Sequence, residues 1–279
     1  MPELPEVETI ARTLAPQIAD CRISRVSVLH PKVLQAGAER LPELAGARIA
    51  RVFRRAKLLL LELESAVTAQ PLLLAFHLKM TGRFFVHPAG TPPEKHTRLV
   101  FDLEEGGRVF FDDMRTFGYC RVMLPRELDQ WAFWSSLGPE PLGLPAAELG
   151  RILHSAFCGR KAAVKGLLLD QRVVAGVGNI YADESLFRAG ISPLLPAGEL
   201  SATRCLALAG ALQEILEQSI RECGSSIRDY RDALGNAGAF QNTFAVYGRK
   251  GESCRKCGAA LEHARVAGRS TVYCPHCQI

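Results

Sequence analysis

Eight short apolar runs between residues 23 and 124 constrain the fold of this chain more than any other feature. They are separated by glycine, proline and charged residues, and no helical crossover lies between them. Short strands of this kind pair mainly antiparallel, so this part of the chain is predicted to form an antiparallel β-sandwich or barrel. The runs are 23–29, 48–53, 57–63, 72–78, 83–87, 99–103, 109–112 and 118–124.

Helical patterns flank these strands on both sides. Ahead of them, apolar residues at helical spacing predict one amphipathic helix from about Pro5 to the region of residues 16–20. From Trp131 onward the patterns are helical, with breaks at 138–145, 174–179 and 191–200. The segment 223–241 is rich in Gly, Ser and Asp and predicts a long mobile loop, and loops of this length are usually functional.

The net charge is a modest +5, but the basic residues are clustered. From residue 240 onward, six basic and two acidic residues give +4, and a second cluster consists of Arg48, Arg51, Arg54, Arg55 and Lys57. Two basic patches suit a polyanion such as nucleic acid, although a solvated surface without a partner explains the charge equally well. Because the sequence has neither a membrane-spanning apolar run nor the basic start of a secretory signal, we expect a cytoplasmic protein.

Four of the nine cysteines lie together near the C-terminus in the pattern C-x2-C-x16-C-x2-C. Two close pairs separated by a hairpin-length insert suit tetrahedral Zn2+, and four thiolates leave no open coordination position, so the predicted zinc is structural. Two disulfides or free thiols are the alternatives, and His263 or His276 is an alternative ligand. The four cysteines are Cys254, Cys257, Cys274 and Cys277.

The segment VAGVGN (174–179) precedes a helical pattern from Ile180 to Ala189, with Gly190 as its expected terminator. Asn179 is predicted to cap this helix, and the glycines before it would let a phosphate approach backbone N–H groups. Neither a dinucleotide-binding unit nor a phosphate-binding loop of the GK[ST] type is present, so a DNA phosphate is the ligand that this turn suits.

The opening MPELPEVETI places Pro2 and Glu3 directly after the initiator methionine. If Met1 is removed, Pro2 carries a free secondary amine, and an α-amino group titrates near ~7.7–8. Such an amine attacks an electrophilic carbon and forms an iminium, while the adjacent Glu3 supplies an acid. The pair therefore predicts covalent catalysis through the N-terminus.

The opening MPELPEVET resembles the N-terminus of bacterial formamidopyrimidine-DNA glycosylases, bifunctional enzymes that remove 8-oxoguanine and ring-opened purines. Other segments resemble the same family in order along the whole chain. Leu4 and SSIRDY favour the purine-lesion branch over the oxidised-pyrimidine relative, which usually opens PEGPE. The segments are Lys57, HLKMTGRF (77–84), DDMRTFG (112–118), VAGVGNIYADE (174–184), SSIRDY (225–230), FQ (240–241) and the four-cysteine finger.

The resemblance implies a multi-domain α+β chain that acts as a monomer on damaged double-stranded DNA. Its parts would be a catalytic β-sandwich domain with a flanking N-terminal helix (1–128), a helix-two-turn-helix domain (129–240) and a β-hairpin finger with one structural Zn2+ (241–279). The loop 223–241 would close over a base that has left the DNA stack.

The resemblance also implies the catalytic roles. Pro2 would attack the deoxyribose C1′, Glu3 would assist ring opening, and Glu6 would support them from the same pocket. Lys57 would assist β-elimination, and Arg269 would assist δ-elimination and bind a phosphate.

A further eight residues resemble DNA contacts of the family. Met80, Arg115 and Phe117 would fill the gap left by the extruded base, although sequence alone also allows Met80 and Phe117 as strand core. The expected backbone contacts are His77, His96, Arg160, Lys165 and Asn179.

Two positions depart from the family pattern, and two other functions are open. Gly166 lies where proline is frequent and Thr116 where a basic residue is common, which affects DNA affinity more than chemistry. The alternatives are a glycosylase of the same fold that prefers oxidised pyrimidines, and a zinc-finger protein that binds damage without cleaving because Met1 is retained.

Overall fold

The computed structural model describes residues 2–65, 67 and 70–279. The chain divides into two compact units, which are called the first unit and the second unit below. The first unit contains the residues up to 135 and the segment 222–239, and the second unit contains 136–221 and 240–279. The finer division into three domains at residues 128 and 240 stays a prediction.

Among its described residues, the first unit begins with helix α1 (Leu4–Ile18), which leads into nine strands and the short helix α2 (Ala132–Ser135). The strands are β1 (Ile23–Val28), β2 (Leu34–Ala36), β3 (Arg48–Arg55), β4 (Leu58–Glu64), β5 (Leu72–His77), β6 (Gly82–Pro88), β7 (Thr97–Leu103), β8 (Gly107–Asp113) and β9 (Tyr119–Met123). Short 3₁₀ helices cover Pro31–Val33, Ala38–Leu44 and Pro125–Gln130.

The nine strands form two sheets, in the orders β1-β7-β8-β6 and β2-β9-β5-β4-β3. Every pair is antiparallel except β2 with β9, which are parallel. The predicted β-sandwich with a flanking N-terminal helix is therefore confirmed. The sequence did not indicate β2, because three residues are too few to show an alternating pattern.

The core of the first unit lies among the two sheets and α1. The apolar stripe of α1 is fully buried against strand residues, as its helical spacing predicts. Phe76 of β5 meets Phe84 of β6 edge to face, with ring centroids 4.9 Å apart. Burying each such side chain stabilises the fold by about 1.5–3 kcal/mol, so the strand ends and the start of α1 are held on a rigid frame.

The second unit contains four helices and a hairpin: α3 (Ala146–Phe157), α4 (Val164–Leu169), α5 (Asn179–Arg188), α6 (Ala202–Arg221), β10 (Glu262–Val266) and β11 (Arg269–Tyr273). Short 3₁₀ helices cover Ala197–Glu199 and Phe240–Thr243. Across the described ranges, none of the helices has the length and apolar content that crossing a membrane requires.

Helix α5 begins one residue earlier than predicted. Its N-cap is Gly178, so the prediction that Asn179 caps the helix is wrong. Gly190 follows the C-terminal end with φ of +67°, as expected for a glycine that terminates a helix. The side chain of Asn179 therefore does not cap the helix and instead donates to the carbonyl of Ser270.

Candidate active site and nucleic-acid interface

The first residues of the chain are fixed by the start of α1. Glu3 is the N-cap, and its backbone N–H donates to the Glu6 carboxylate over 2.9 Å, which satisfies an N–H that the helix leaves open. Pro2, Glu3 and Glu6 are all buried. The structure therefore brings these three predicted site residues together, while Met1 lies outside the described residues.

Glu6 also holds the segment 222–239. Its second carboxylate oxygen accepts the N–H of Ser225 over 2.8 Å, and the hydroxyl of Tyr230 donates to the Glu6 carbonyl over 3.4 Å. Burial raises the pKa of Tyr230, and the nearby Glu6 adds to the rise, so this hydroxyl keeps its proton. One carboxylate thus connects the N-terminal turn with the loop that the sequence predicted to be functional.

Lys57 lies in the two-residue turn between β3 and β4, in which Ala56 adopts a positive φ of 53°. The side chain is buried, at 8% exposure, and lies close enough to His77 to affect its titration. The pKa of His77 falls to about 3, mainly because the ring is buried and also because Lys79 and Lys57 are positive. His77 is therefore neutral at physiological pH and offers a phosphate no charge, only a ring N–H.

Met80, Arg115 and Phe117 form an exposed cluster within the β5–β6 and β8–β9 connections. The guanidinium of Arg115 lies 4.8 Å from the centre of the Phe117 ring, and its Nη1 lies 2.9 Å from the Met80 sulfur. Met80 is 41% exposed and Phe117 is 53% exposed, so neither belongs to the core. Two large apolar groups held in water beside a cation suit contact with another molecule.

A buried carboxylate fixes the backbone beneath this exposed cluster. Asp113 is 1% exposed and accepts from the N–H of Arg115 over 3.2 Å and from that of Gly118 over 2.7 Å. The hydroxyl of Thr81 donates to the same carboxylate. Sequence reasoning missed Thr81 and Asp113, because nothing local indicates that one connection will hold the other.

Two further predicted phosphate contacts, His96 and Arg160, differ in exposure. His96, in the first unit, is half-buried. Arg160, in the second unit, is exposed and lines a groove of about 810 Å³ together with Arg151 and Arg172. By contrast, three of the five residues in the basic cluster around β3, Arg48, Arg51 and Arg54, pair with carboxylates.

The four cysteines of the finger meet as predicted. Their sulfur atoms all lie within 4.8 Å of one another, with Cys257 and Cys274 3.5 Å apart and Cys254 and Cys277 3.9 Å apart. A tetrahedral Zn2+ with Zn–S bonds of about 2.3 Å sets sulfurs about 3.8 Å apart, whereas a disulfide needs about 2.05 Å. The residues therefore form a site for one structural zinc, and the disulfide alternative is wrong.

Arg269 lies where the hairpin turns. Ala267 and Gly268 form the connection between β10 and β11, both with positive φ, which is typical of a two-residue turn. Arg269 is the first residue of β11 and is exposed. Its guanidinium is thus presented to solvent at the tip of the finger.

Lys165 and Asn179 point toward the finger. Lys165 is fully buried, and its ammonium lies 2.7 Å from the carboxylate of Asp183. Asn179 donates its side-chain N–H to the carbonyl of Ser270 over 3.0 Å. Sequence reasoning missed Asp183, whose position on α5 carries no signal of a partner 18 residues earlier in the chain.

Sequence comparison with known families covers most of the chain. The Formamidopyrimidine-DNA glycosylase N-terminal domain matches residues 1–120, the H2TH domain of the same proteins matches 137–231, and the zinc finger found in FPG and IleRS matches 251–279. The chain belongs to the formamidopyrimidine-DNA glycosylase family. The predicted helix-two-turn-helix and finger segments are thereby confirmed as members of their families.

Individual members of the formamidopyrimidine-DNA glycosylase family are similar to this chain over different lengths. The enzyme of Xanthomonas campestris pv. campestris is 45% identical over 279 residues, with both chains fully covered. The enzyme of Nitratidesulfovibrio vulgaris is 62% identical over 205 residues, which are 74% of this chain and 55% of that protein. A crystal structure of a Lactococcus lactis FPG variant bound to DNA with Fapy-dG superposes with a TM-score of 0.89, at 34% identity and 99% coverage of both chains.

Proposed function

We propose that the chain is a bifunctional DNA repair enzyme that excises 8-oxoguanine and formamidopyrimidines from duplex DNA and then cuts the strand by β,δ-elimination. The observation that carries the proposal is the buried Pro2–Glu3 pair, held by Glu6 at the start of α1. Membership of a DNA glycosylase family supports it.

In the proposed first step, the neutral Pro2 amine bonds to C1′ of the damaged nucleotide as the bond from C1′ to the base breaks. The base leaves with the electron pair of that bond and takes up the proton that the amine releases. Glu3 protonates the sugar ring oxygen as the ring opens, and nitrogen and C1′ are then joined as an iminium. This step requires that the mature chain starts at Pro2. If Met1 were retained, the Pro2 nitrogen would be part of a peptide bond, and its electron pair would be delocalised into the carbonyl group.

In the proposed second step, the iminium accepts the electrons released when a proton leaves C2′. The resulting enamine expels the 3′ phosphate as the C3′–O bond breaks, with Lys57 assisting. A second proton then leaves C4′, and the 5′ phosphate departs as the C5′–O bond breaks, with Arg269 assisting. Water then adds to C1′ of the iminium, which releases the sugar remnant as an aldehyde and restores the Pro2 amine. Zinc supplies no chemistry, since its four thiolates leave no open position.

The exposed cluster supports the proposed DNA grip. Extruding a base costs a few kcal/mol, and filling the gap with apolar side chains offsets part of this cost. Met80 and Phe117 present suitable surfaces, and Arg115 between them offers N–H donors to the base left without its partner. His96 and Arg160 are proposed contacts to the DNA backbone.

Borohydride trapping tests the proposed chemistry directly. Reduction during reaction with an 8-oxoguanine duplex should give a covalent protein–DNA adduct, after mass spectrometry has shown that the protein lacks Met1. Pro2→Gly, which keeps an amine but loses the ring, should turn over more slowly while it still binds the lesion. No adduct from protein that starts at Pro2 would exclude the Schiff base. A panel that includes oxidised pyrimidines decides the preferred lesion.

A further inference from the structure

Lys165 resembles a DNA contact of the family, but its surroundings differ from those of a phosphate ligand. The side chain is 0% exposed. Besides Asp183, its ammonium donates to the Thr271 hydroxyl over 2.7 Å and to the Ser270 carbonyl over 3.0 Å. An ammonium has three N–H donors, and here two hydrogen bonds and one ion pair engage it with groups of the protein.

The acceptors lie directly beside Arg269. Ser270 and Thr271 are the next two residues of β11, and the Ser270 carbonyl also accepts from Asn179. The N–H of the following residue, Val272, donates to the Asp183 carboxylate over 3.4 Å. Three consecutive residues after Arg269 are thus bound to side chains of α4 and α5.

A second contact holds the other end of the finger to the same helix. The carboxylate of Glu184 accepts the N–H groups of Ala245, Val246 and Tyr247 over 2.8–3.0 Å. Helix α5 therefore grips both the segment that enters the finger and the strand that follows the turn. Because α5 holds both segments, the direction of β11 depends on the buried pair of Lys165 and Asp183.

We propose that Lys165 is a positioning residue. Together with Asp183 it fixes β11, and through β11 the direction in which Arg269 leaves the hairpin turn, instead of contacting DNA itself. The contact network stands on the structure alone, whereas its effect on catalysis rests on the proposed role of Arg269.

The test compares one single and one double variant. Lys165→Met leaves Asp183 as an uncompensated buried charge, while Lys165→Met with Asp183→Leu removes both charges and keeps an apolar filling. We expect amide hydrogen exchange in 269–273 to rise about tenfold or more in the single variant and to return close to the wild-type rate in the double variant. Zinc content is measured in each protein, so that metal loss is recognised.

Two further readouts separate positioning from a phosphate contact. The ratio of β- to β,δ-products should shift toward that of Arg269→Ala in the single variant and recover in the double variant. The salt dependence of duplex binding should be unchanged in the double variant. Arg160→Ala serves as the comparison, because loss of a phosphate contact lowers the slope by about one.

The outcomes are distinct. If the salt slope of duplex binding falls in the double variant as it does in Arg160→Ala, Lys165 contacts a phosphate and the proposal is overturned. Unchanged amide exchange in the single variant would also overturn it. If the single variant does not fold, the double variant decides alone. If Arg269→Ala leaves the product ratio unchanged, the proposed role of Arg269 fails, and the exchange rates still test the positioning of β11.

Discussion

Phe117 and Met80 lie in water although apolar side chains of their size are usually buried. Both side chains stay exposed because hydrogen bonds of Asp113 and Thr81 fix the β5–β6 and β8–β9 connections in which they lie. An isolated exposed side chain needs no explanation, but two beside one guanidinium form a surface. The pattern supports the proposed filling of an emptied base position.

Replacing Phe117 by alanine tests this role. We expect Phe117→Ala to weaken binding to an 8-oxoguanine duplex about tenfold or more, because stacking on one base is worth about 1–3 kcal/mol. Thermal unfolding should hardly change, since the ring is 53% exposed. Met114→Ala is the matched control, because Met114 is a neighbouring side chain at 46% exposure. Equal losses of affinity in the two variants would contradict the specific role.

The buried imidazole of His77 links stability to pH. Its pKa of about 3 in the folded state lies below the ordinary value near 6.5, because burial and then the charges of Lys79 and Lys57 oppose protonation. Between these values the unfolded chain binds a proton that the folded chain does not. The contribution of His77 to stability is therefore complete above pH 6.5 and is lost as the pH falls toward 3.

Denaturant unfolding of wild type and His77→Gln at several pH values checks this linkage. Below pH 6.5 the wild type should lose up to about 1.4 kcal/mol per pH unit relative to the variant, which has no proton to bind. Comparing slopes cancels any constant destabilisation by the substitution. Parallel pH profiles would contradict the assignment.

At the scale of elements, the segment 222–239 is a structured loop bound to α1. Besides the two contacts with Glu6, the N–H of Ala233 donates to the Thr13 hydroxyl over 3.2 Å. The sequence predicted a mobile loop from its polar composition, but the anchoring residues carry no local signal. Their partners lie more than 200 positions earlier in the chain, so only folding brings them together.

Gly238 closes the base of this loop. A Cβ at this position would lie 2.1 Å from the Gly224 carbonyl oxygen, a contact that the backbone must open to accommodate. We expect Gly238→Ala to raise amide exchange at Ser225 and Ala239 and to weaken lesion binding, because the two ends of the loop separate.

Gly235→Ala is the control for Gly238→Ala. Gly235 has open space around it but a φ of +84°, so alanine there adds about 1–2 kcal/mol of backbone strain without a clash. If both variants give the same exchange at Ser225, the close approach at Gly238 is not what holds the loop.

At the scale of the whole molecule, the first unit and the finger of the second unit have unequal sources of stability. The first unit has a large apolar core, whereas the finger has two five-residue strands and few buried side chains. A two-stranded hairpin is marginal in water by itself, so metal binding must supply much of its stability.

Zinc removal should therefore act on one part of the chain. A chelator should raise amide exchange in 251–279 and abolish tight duplex binding, while β4 and β5 stay protected by their core. Cys257→Ser should lower the zinc content from one per chain, and Cys158→Ser, at an isolated exposed cysteine, should leave it unchanged. Unchanged exchange in the finger after chelation would contradict a structural role for the metal.

The sequence by itself determined the features that depend on near neighbours along the chain. Helical spacing located α1, short apolar runs between turn residues located eight of the nine strands that the structure describes in the first unit, and cysteine spacing predicted the zinc site. The Pro2–Glu3 pair suggested its chemistry because a terminal imino group and an adjacent acid are covalent neighbours.

Tertiary structure alone decided which distant groups meet. It buried Lys165 against Asp183, turned Asn179 toward Ser270, and paired three arginines of β3 with carboxylates. A charged side chain has the same local pattern whether it meets solvent, phosphate or a buried acid. The choice depends on desolvation and on partners that become neighbours only when the chain packs, and composition and spacing carry no record of them.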